Sequence, residues 1–209
     1  MQKETVYQST NTYDTLNELT AKTKTVWLVF HGIGYLSRYF IRLFQNLNPE
    51  ENYIIAPQAP SKYYKNNEYK KVGASWLTKE NTKLETENVL RYVDSVVSNE
   101  ELPEHLKFVV LGYSQGVSIA SRWIASRKIM PDDFVIISGA FPKELTQRDF
   151  VFLTEKVRTT HIVGENDPYF LKQNVENEKM RVKDILPRIV FKTHPGGHEL
   201  DINTLKHIF

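Results

Sequence analysis

The chain has 209 residues, 41% of them hydrophobic and 25% charged, which suits one domain with a full core. A net charge of +2 gives no electrostatic footprint for a nucleic-acid partner, and the lack of cysteine removes disulfides, thiolate metal sites and a thiol nucleophile. No apolar run nears the roughly 18–20 residues of a membrane-spanning helix, and the first five residues lack the apolar core of a secretion signal, so a soluble cytoplasmic protein without stable membrane insertion is expected.

In chain order, residues 5–20 read as a short edge hairpin, and Val26–Phe30 as a first apolar strand. Leu36, Phe40, Leu43, Phe44 and Leu47 recur at helical spacing and predict a helix over Leu36–Leu47. A strand over Tyr53–Ala56 is followed by the basic, tyrosine-rich stretch Ser61–Lys71. That stretch reads as a solvated loop, with contact to an anionic headgroup or an acidic partner surface as the alternative. Lys83–Val97 is the next helix, and Phe108–Leu111 the next strand. A helix over Gln115–Arg127 follows, then strands at Phe134–Ile137 and Thr159–Val163. A helix over Tyr169–Asp184, a strand over Arg188–Thr193 and a helix over Asp201–Phe209 complete the order. Short runs without polar alternation suit strands buried on both faces, and their alternation with helices implies a mostly parallel central sheet covered by helices on both faces. No repeat or linker divides the chain, so residues 1–209 read as a single domain. The connection from Gly139 to Arg158 is too short for an inserted lid.

Gly112-Tyr113-Ser114-Gln115-Gly116 carries the most chemistry. A Gly-x-Ser-x-Gly pentapeptide between an apolar strand and a helix is the pattern of a nucleophile elbow. The serine sits on a strained turn, the glycines leave space where a Cβ would collide, and the helix aims free N–H groups beside the serine oxygen. A serine hydroxyl needs a base, and the base an orienting acid, here expected in the order serine, acid, histidine. Asp167 in Gly164-Glu165-Asn166-Asp167-Pro168 follows one predicted strand, and His198 in Gly196-Gly197-His198 follows another. Both therefore fall at the edge of the sheet where Ser114 lies. Taken alone, Asp167 is equally well a turn former or helix cap. His194 competes with His198, but two glycines give His198 the freer loop, and His194 before Pro195 fits a structural hydrogen bond. The oxyanion donors expected are the backbone N–H groups of Gln115 and of Ile33 in His31-Gly32-Ile33-Gly34, with His31 bracing that loop.

His31-Gly32-x-Gly34, Ala56-Pro57-x-Ala59-Pro60, the Ser114 pentapeptide, Gly164-x-x-Asp167-Pro168 and Gly197-His198-Glu199-Leu200 stand in order over residues 25–205. This set resembles the phospholipase/carboxylesterase family of the α/β-hydrolase superfamily, which includes carboxylesterases, lysophospholipases and acyl-protein thioesterases. The resemblance implies an α/β-hydrolase fold, a triad of Ser114, Asp167 and His198, and an oxyanion hole at Ile33 and Gln115. It also implies an acyl-groove tryptophan at Trp76. With Ile33, Leu36 and Phe170, the residues Tyr35, Trp76, Phe141 and Tyr169 are expected at a hydrophobic acyl site, against a plain core role for each.

The function expected is a serine carboxylesterase that needs no cofactor or metal. It would cleave small-molecule esters of short to medium acyl chains through an acyl-enzyme. The alternatives are a thioesterase, a lysophospholipase, a serine peptidase or acyltransferase on the same triad, and an inactive binding module. The last is disfavoured because all three triad roles are filled. A homodimer through an exposed apolar edge strip stays open.

Overall fold

A computed structural model describes the chain apart from residues 2, 171, 203–204 and 206–209, and apart from the side chains of 172–175. The strands are β1 Tyr13–Leu16, β2 Thr25–Phe30, β3 Asn52–Pro57, β4 Ser61–Tyr64 and β5 Val72–Ser75, then β6 Lys107–Tyr113, β7 Asp133–Ile137, β8 Arg158–Gly164 and β9 Val190–His194. The α-helices among the described residues are α1 Ser37–Phe40, α2 Thr82–Asn99, α3 Gln115–Arg127 and α4 Lys172–Ile185.

Alternation of side chains across the central strands divides the core in two. Leu28, Phe30, Val110, Phe134 and Ile136 face one way, where Val89, Leu90 and Val93 of α2, Ile119, Trp123 and Ile124 of α3, and Val182 and Ile185 of α4 cover them. Trp27, Val29, Val109, Leu111, Val135 and Ile137 face the other way, against Phe40, Ile41, Phe44, Leu200 and Leu205. A strand buried on both sides must be apolar throughout, which is why these runs show no polar alternation.

The sheet has the order β1-β3-β2-β6-β7-β8-β9, with β4 and β5 paired separately. Only β1 runs antiparallel to its neighbour in the larger sheet. The parallel strands β2, β6, β7, β8 and β9 all send their following loops to one edge, and those loops begin at residues 31, 114, 138, 165 and 195.

Three local expectations change in the structure. The expected N-terminal hairpin is a single strand, because β1 finds its ladder on the open edge of β3, pairing Tyr13 with Pro57 through Leu16 with Ile54. The helix expected over Leu36–Leu47 is α1 continued as a 3₁₀ turn at Ile41–Phe44. The tighter turn points Ile41 and Phe44, three residues apart, at the same sheet face. The Ser61–Lys71 loop begins as the exposed strand β4, which forms a hairpin with β5. Of the helix expected over Asp201–Phe209, Ile202 and Leu205 are helical, and residues 203–204 and 206–209 lie outside the described residues. Among the described residues no helix is long and apolar enough to cross a membrane.

Candidate active site

Ser114 stands between β6 and α3 with φ 53° and ψ −119°, a region that L-residues rarely enter. The surrounding contacts force the conformation. Its N–H donates to Ile137 O at 2.8 Å, which ties the elbow to β7. A Cβ on Gly112 would lie 2.6 Å from Val117 Cα, and one on Gly116 would overlap the Phe30 carbonyl of β2. The two glycines of the pentapeptide therefore let α3 start hard against the sheet, with Ser114 at the apex.

The loops after β8 and β9 bring the other two groups to it. His198 Nε2 lies 2.9 Å from Ser114 Oγ, and His198 Nδ1 lies 2.8 Å from Asp167 Oδ2. The Asp167 side chain is fully buried, and its Oδ1 accepts the Tyr169 N–H at 3.0 Å, so both carboxylate oxygens are held. The His198 ring packs edge-on to Tyr169 with centroids 4.6 Å apart, and Tyr113 Oη donates to the His198 carbonyl at 2.8 Å. In this arrangement Asp167 fixes the Nδ1–H tautomer and leaves Nε2 free to take the serine proton. His194, the rival histidine, instead accepts the Gly196 N–H at Nδ1, 3.1 Å away.

Ile33 and Gln115 both border the cavity beside Ser114. The Gln115 side chain is turned away from it. Its Oε1 accepts the Trp76 N–H at 2.8 Å, and its Nε2 donates to Leu77 O at 2.7 Å and to Ser75 Oγ at 3.0 Å. The loop carrying Ile33 is clamped from several sides. Gly34 N donates to Ala74 O of β5 at 2.8 Å, and Trp76 Nε1 donates to His31 O at 2.8 Å. The buried His31 ring accepts the Ala59 N–H at Nε2, 3.1 Å away, so its proton sits on Nδ1 and is donated to Gly32 O at 2.8 Å. Desolvation pushes this ring's pKa down to about 4, which keeps it neutral and suited to bracing.

The cavity has a volume of about 590 Å³ and is bordered by Ser114 and His198, with Tyr35, Tyr113, Tyr169 and Phe170 among its apolar walls. Tyr35 and Tyr169 thus stand where an acyl site was expected. Trp76 and Phe141 do not. Both are almost fully buried, Trp76 against Phe30 and His31 and Phe141 against Phe134 and Phe150, and neither borders the cavity. Leu36 is likewise part of the core. An aromatic residue near a sheet edge has two faces to choose from, and the deeper one buries more apolar surface. Sequence reasoning did not single out Ser118, Ser138 and Glu178, which also line the cavity. Ser138 lies directly after β7, and that position at the catalytic edge was the available signal.

A parallel sheet with a strained serine at a strand–helix elbow, bonded to a histidine that a buried aspartate orients, defines an α/β-hydrolase with serine-hydrolase architecture. The chain belongs to the serine hydrolase (FSH1) family, whose model matches residues 22–201. No curated protein matches it in sequence. Acyl-protein thioesterase 2 of Zea mays is similar in structure, with 16% identity, coverage of 95% of this chain and 96% of that one, and a TM-score of 0.70. So is esterase PE8, with 19% identity, 96% of each chain covered and a TM-score of 0.68. A phospholipase/carboxylesterase of Dyadobacter fermentans shares 17% identity over 97% of this chain and 96% of that one, with a TM-score of 0.63. At these identities the likeness is one of fold.

Proposed function

We propose that this chain is a carboxylesterase-type serine hydrolase acting on small-molecule esters of short to medium acyl chains through an acyl-enzyme. The observation that carries the reading is the unbroken chain from Ser114 Oγ through the His198 ring to Asp167 Oδ2, opening into a mainly apolar cavity. His198 Nε2 takes the hydroxyl proton as Ser114 Oγ attacks the ester carbonyl carbon, while Asp167 holds the imidazolium that forms. The N–H groups of Ile33 and Gln115 receive the oxyanion, each worth about 3 kcal/mol in such sites. His198 then returns the proton to the departing alcohol. Water, activated by the same nitrogen, releases the acid and frees Ser114.

The similarity to an acyl-protein thioesterase supports a second reading, thioester hydrolysis by the same steps with a thiol leaving. Initial rates on paired oxygen esters and thioesters of two to about sixteen acyl carbons separate the two, with Ser114→Ala as control. Serine-dependent rates that peak on short or medium oxygen esters are the expected result. A peak on long thioesters would select the second reading, and full activity in the Ser114→Ala protein would overturn both.

A further inference from the structure

The cavity wall on the α3–α4 side carries three polar side chains that the reaction steps leave unused: Ser118 on α3, Ser138 after β7 and Glu178 on α4. We propose that they bind a hydroxyl group carried by the acyl portion of the substrate. The inference rests on the esterase reading above and narrows it to hydroxyacyl esters.

Counting hydrogen-bond capacity at each group gives the argument. Ser138 is buried at 1% exposure, and its Oγ has no partner among the described residues. A buried hydroxyl left unpaired costs free energy, so a group that completes it gains by binding. The Arg122 guanidinium, itself held by Glu144 at 2.7 Å, donates to Ser118 Oγ, which leaves the Ser118 hydroxyl proton to be given elsewhere. A carboxylate has about four acceptor positions. Among the described residues Glu178 uses three of them, for the Phe141 N–H at 2.7 Å and for Arg181 Nη2 at 2.9 Å and Nε at 3.2 Å. Because all three residues border one cavity, its wall combines one donor and one acceptor with Ser138, able to act as either.

A hydroxyl, which both donates and accepts, matches that set. A carboxylate has no proton to give Glu178 and meets its negative charge. An ammonium has no lone pair for the serine proton, and Arg181 already balances the Glu178 charge. Geometry assigns the group to the acyl side. The leaving alcohol must receive its proton from His198 Nε2, and His198 packs on Tyr113, which belongs to the opposite core face from α3 and α4. The bond from Ser114 N–H to Ile137 O, one residue before Ser138, keeps Ser138 close to the nucleophile, so the hydroxyl belongs near the scissile carbonyl.

The test is kcat/KM by proton release for methyl butanoate, its 2-, 3- and 4-hydroxy derivatives, monomethyl succinate, methyl 4-aminobutanoate and 2-hydroxyethyl butanoate. At least one hydroxybutanoate ester should exceed methyl butanoate by about tenfold or more. Ser138→Ala and Ser118→Ala should each move that ratio toward one. The wild-type ratio needs no variant, so a variant that fails to fold leaves the test intact. A ratio of one or less for all three hydroxy esters overturns the inference while the esterase reading stands. So does a ratio unmoved in both variants, or a stronger preference for the succinate, the amine or the hydroxyl on the alcohol. Absence of serine-dependent hydrolysis across the whole set removes the esterase reading, and the inference falls with it.

Discussion

Asp167 shows how much one side chain can be asked to do. Its two oxygens are divided between the His198 ring and the Tyr169 N–H, and water does not reach it. Asp167→Asn would keep the shape but offer an N–H where His198 Nδ1–H needs an acceptor, forcing the wrong tautomer. We expect kcat to fall about 10³–10⁴-fold with the fold intact. Steady-state rates beside a thermal melt check this, and a loss under tenfold would remove Asp167 from its role. Read by itself in the sequence this residue is equally well a turn former, and only its place in the order serine, acid, histidine favours the triad role. What separates the two uses is a 2.8 Å approach across 31 positions of chain, which local pattern cannot encode.

At the scale of elements, the hairpin of exposed β4 and largely buried β5 has a structural task that its composition hides. Gly73 of β5 faces the Ile33 loop so closely that a Cβ there would lie 2.8 Å from Gly34 Cα. The neighbouring Ala74 carbonyl holds Gly34 N, and Trp76 a little further on holds the His31 carbonyl. The loop carrying Ile33 is therefore placed by a segment about forty residues later in the chain. Gly73→Ala should displace Ile33 N–H by a fraction of an ångström to an ångström and lower kcat about a hundredfold. KM and the far-ultraviolet dichroism should change little. Wild-type kcat in that variant would show that the loop holds its shape without β5. Trp76, expected on the substrate, acts instead through this clamp, a role visible only once its indole N–H is seen to have a carbonyl partner.

Across the whole molecule, the burial of two histidines makes stability depend on acid pH. His31 and His161 are both buried, and desolvation pushes each pKa down to about 4. For His161 the charge of Glu178 works against this shift and that of Lys179 adds to it. In the unfolded chain both rings titrate near the ordinary value of about 6.5. Below that pH the unfolded state binds protons that the native state refuses. Stability is thus fully present above about 6.5 and declines as pH falls toward 4, by up to about 3 kcal/mol for each ring. Denaturant titrations at pH 7, 5.5 and 4.5 should show this decline. His161→Leu, which removes one of the two groups and breaks no hydrogen bond to a described residue, should make it shallower. An unchanged slope in that variant would mean His161 is protonated in the native state.

The strand–helix alternation, the doubly buried strands, the elbow pentapeptide and the order of its partners were all legible in the amino-acid sequence. Each rests on local physics: side-chain periodicity, the steric freedom of glycine, and the single edge to which a parallel sheet delivers its loops. Other features lay outside its reach. They include the pairing of β1 with β3, the inward turn of Trp76 and Phe141, the clamp on the Ile33 loop, and the meeting of Ser118, Ser138 and Glu178 on one wall. These depend on which of two faces buries more apolar surface, and on polar groups finding partners far along the chain. Those choices are made only when the whole core closes, so tertiary structure alone decided them.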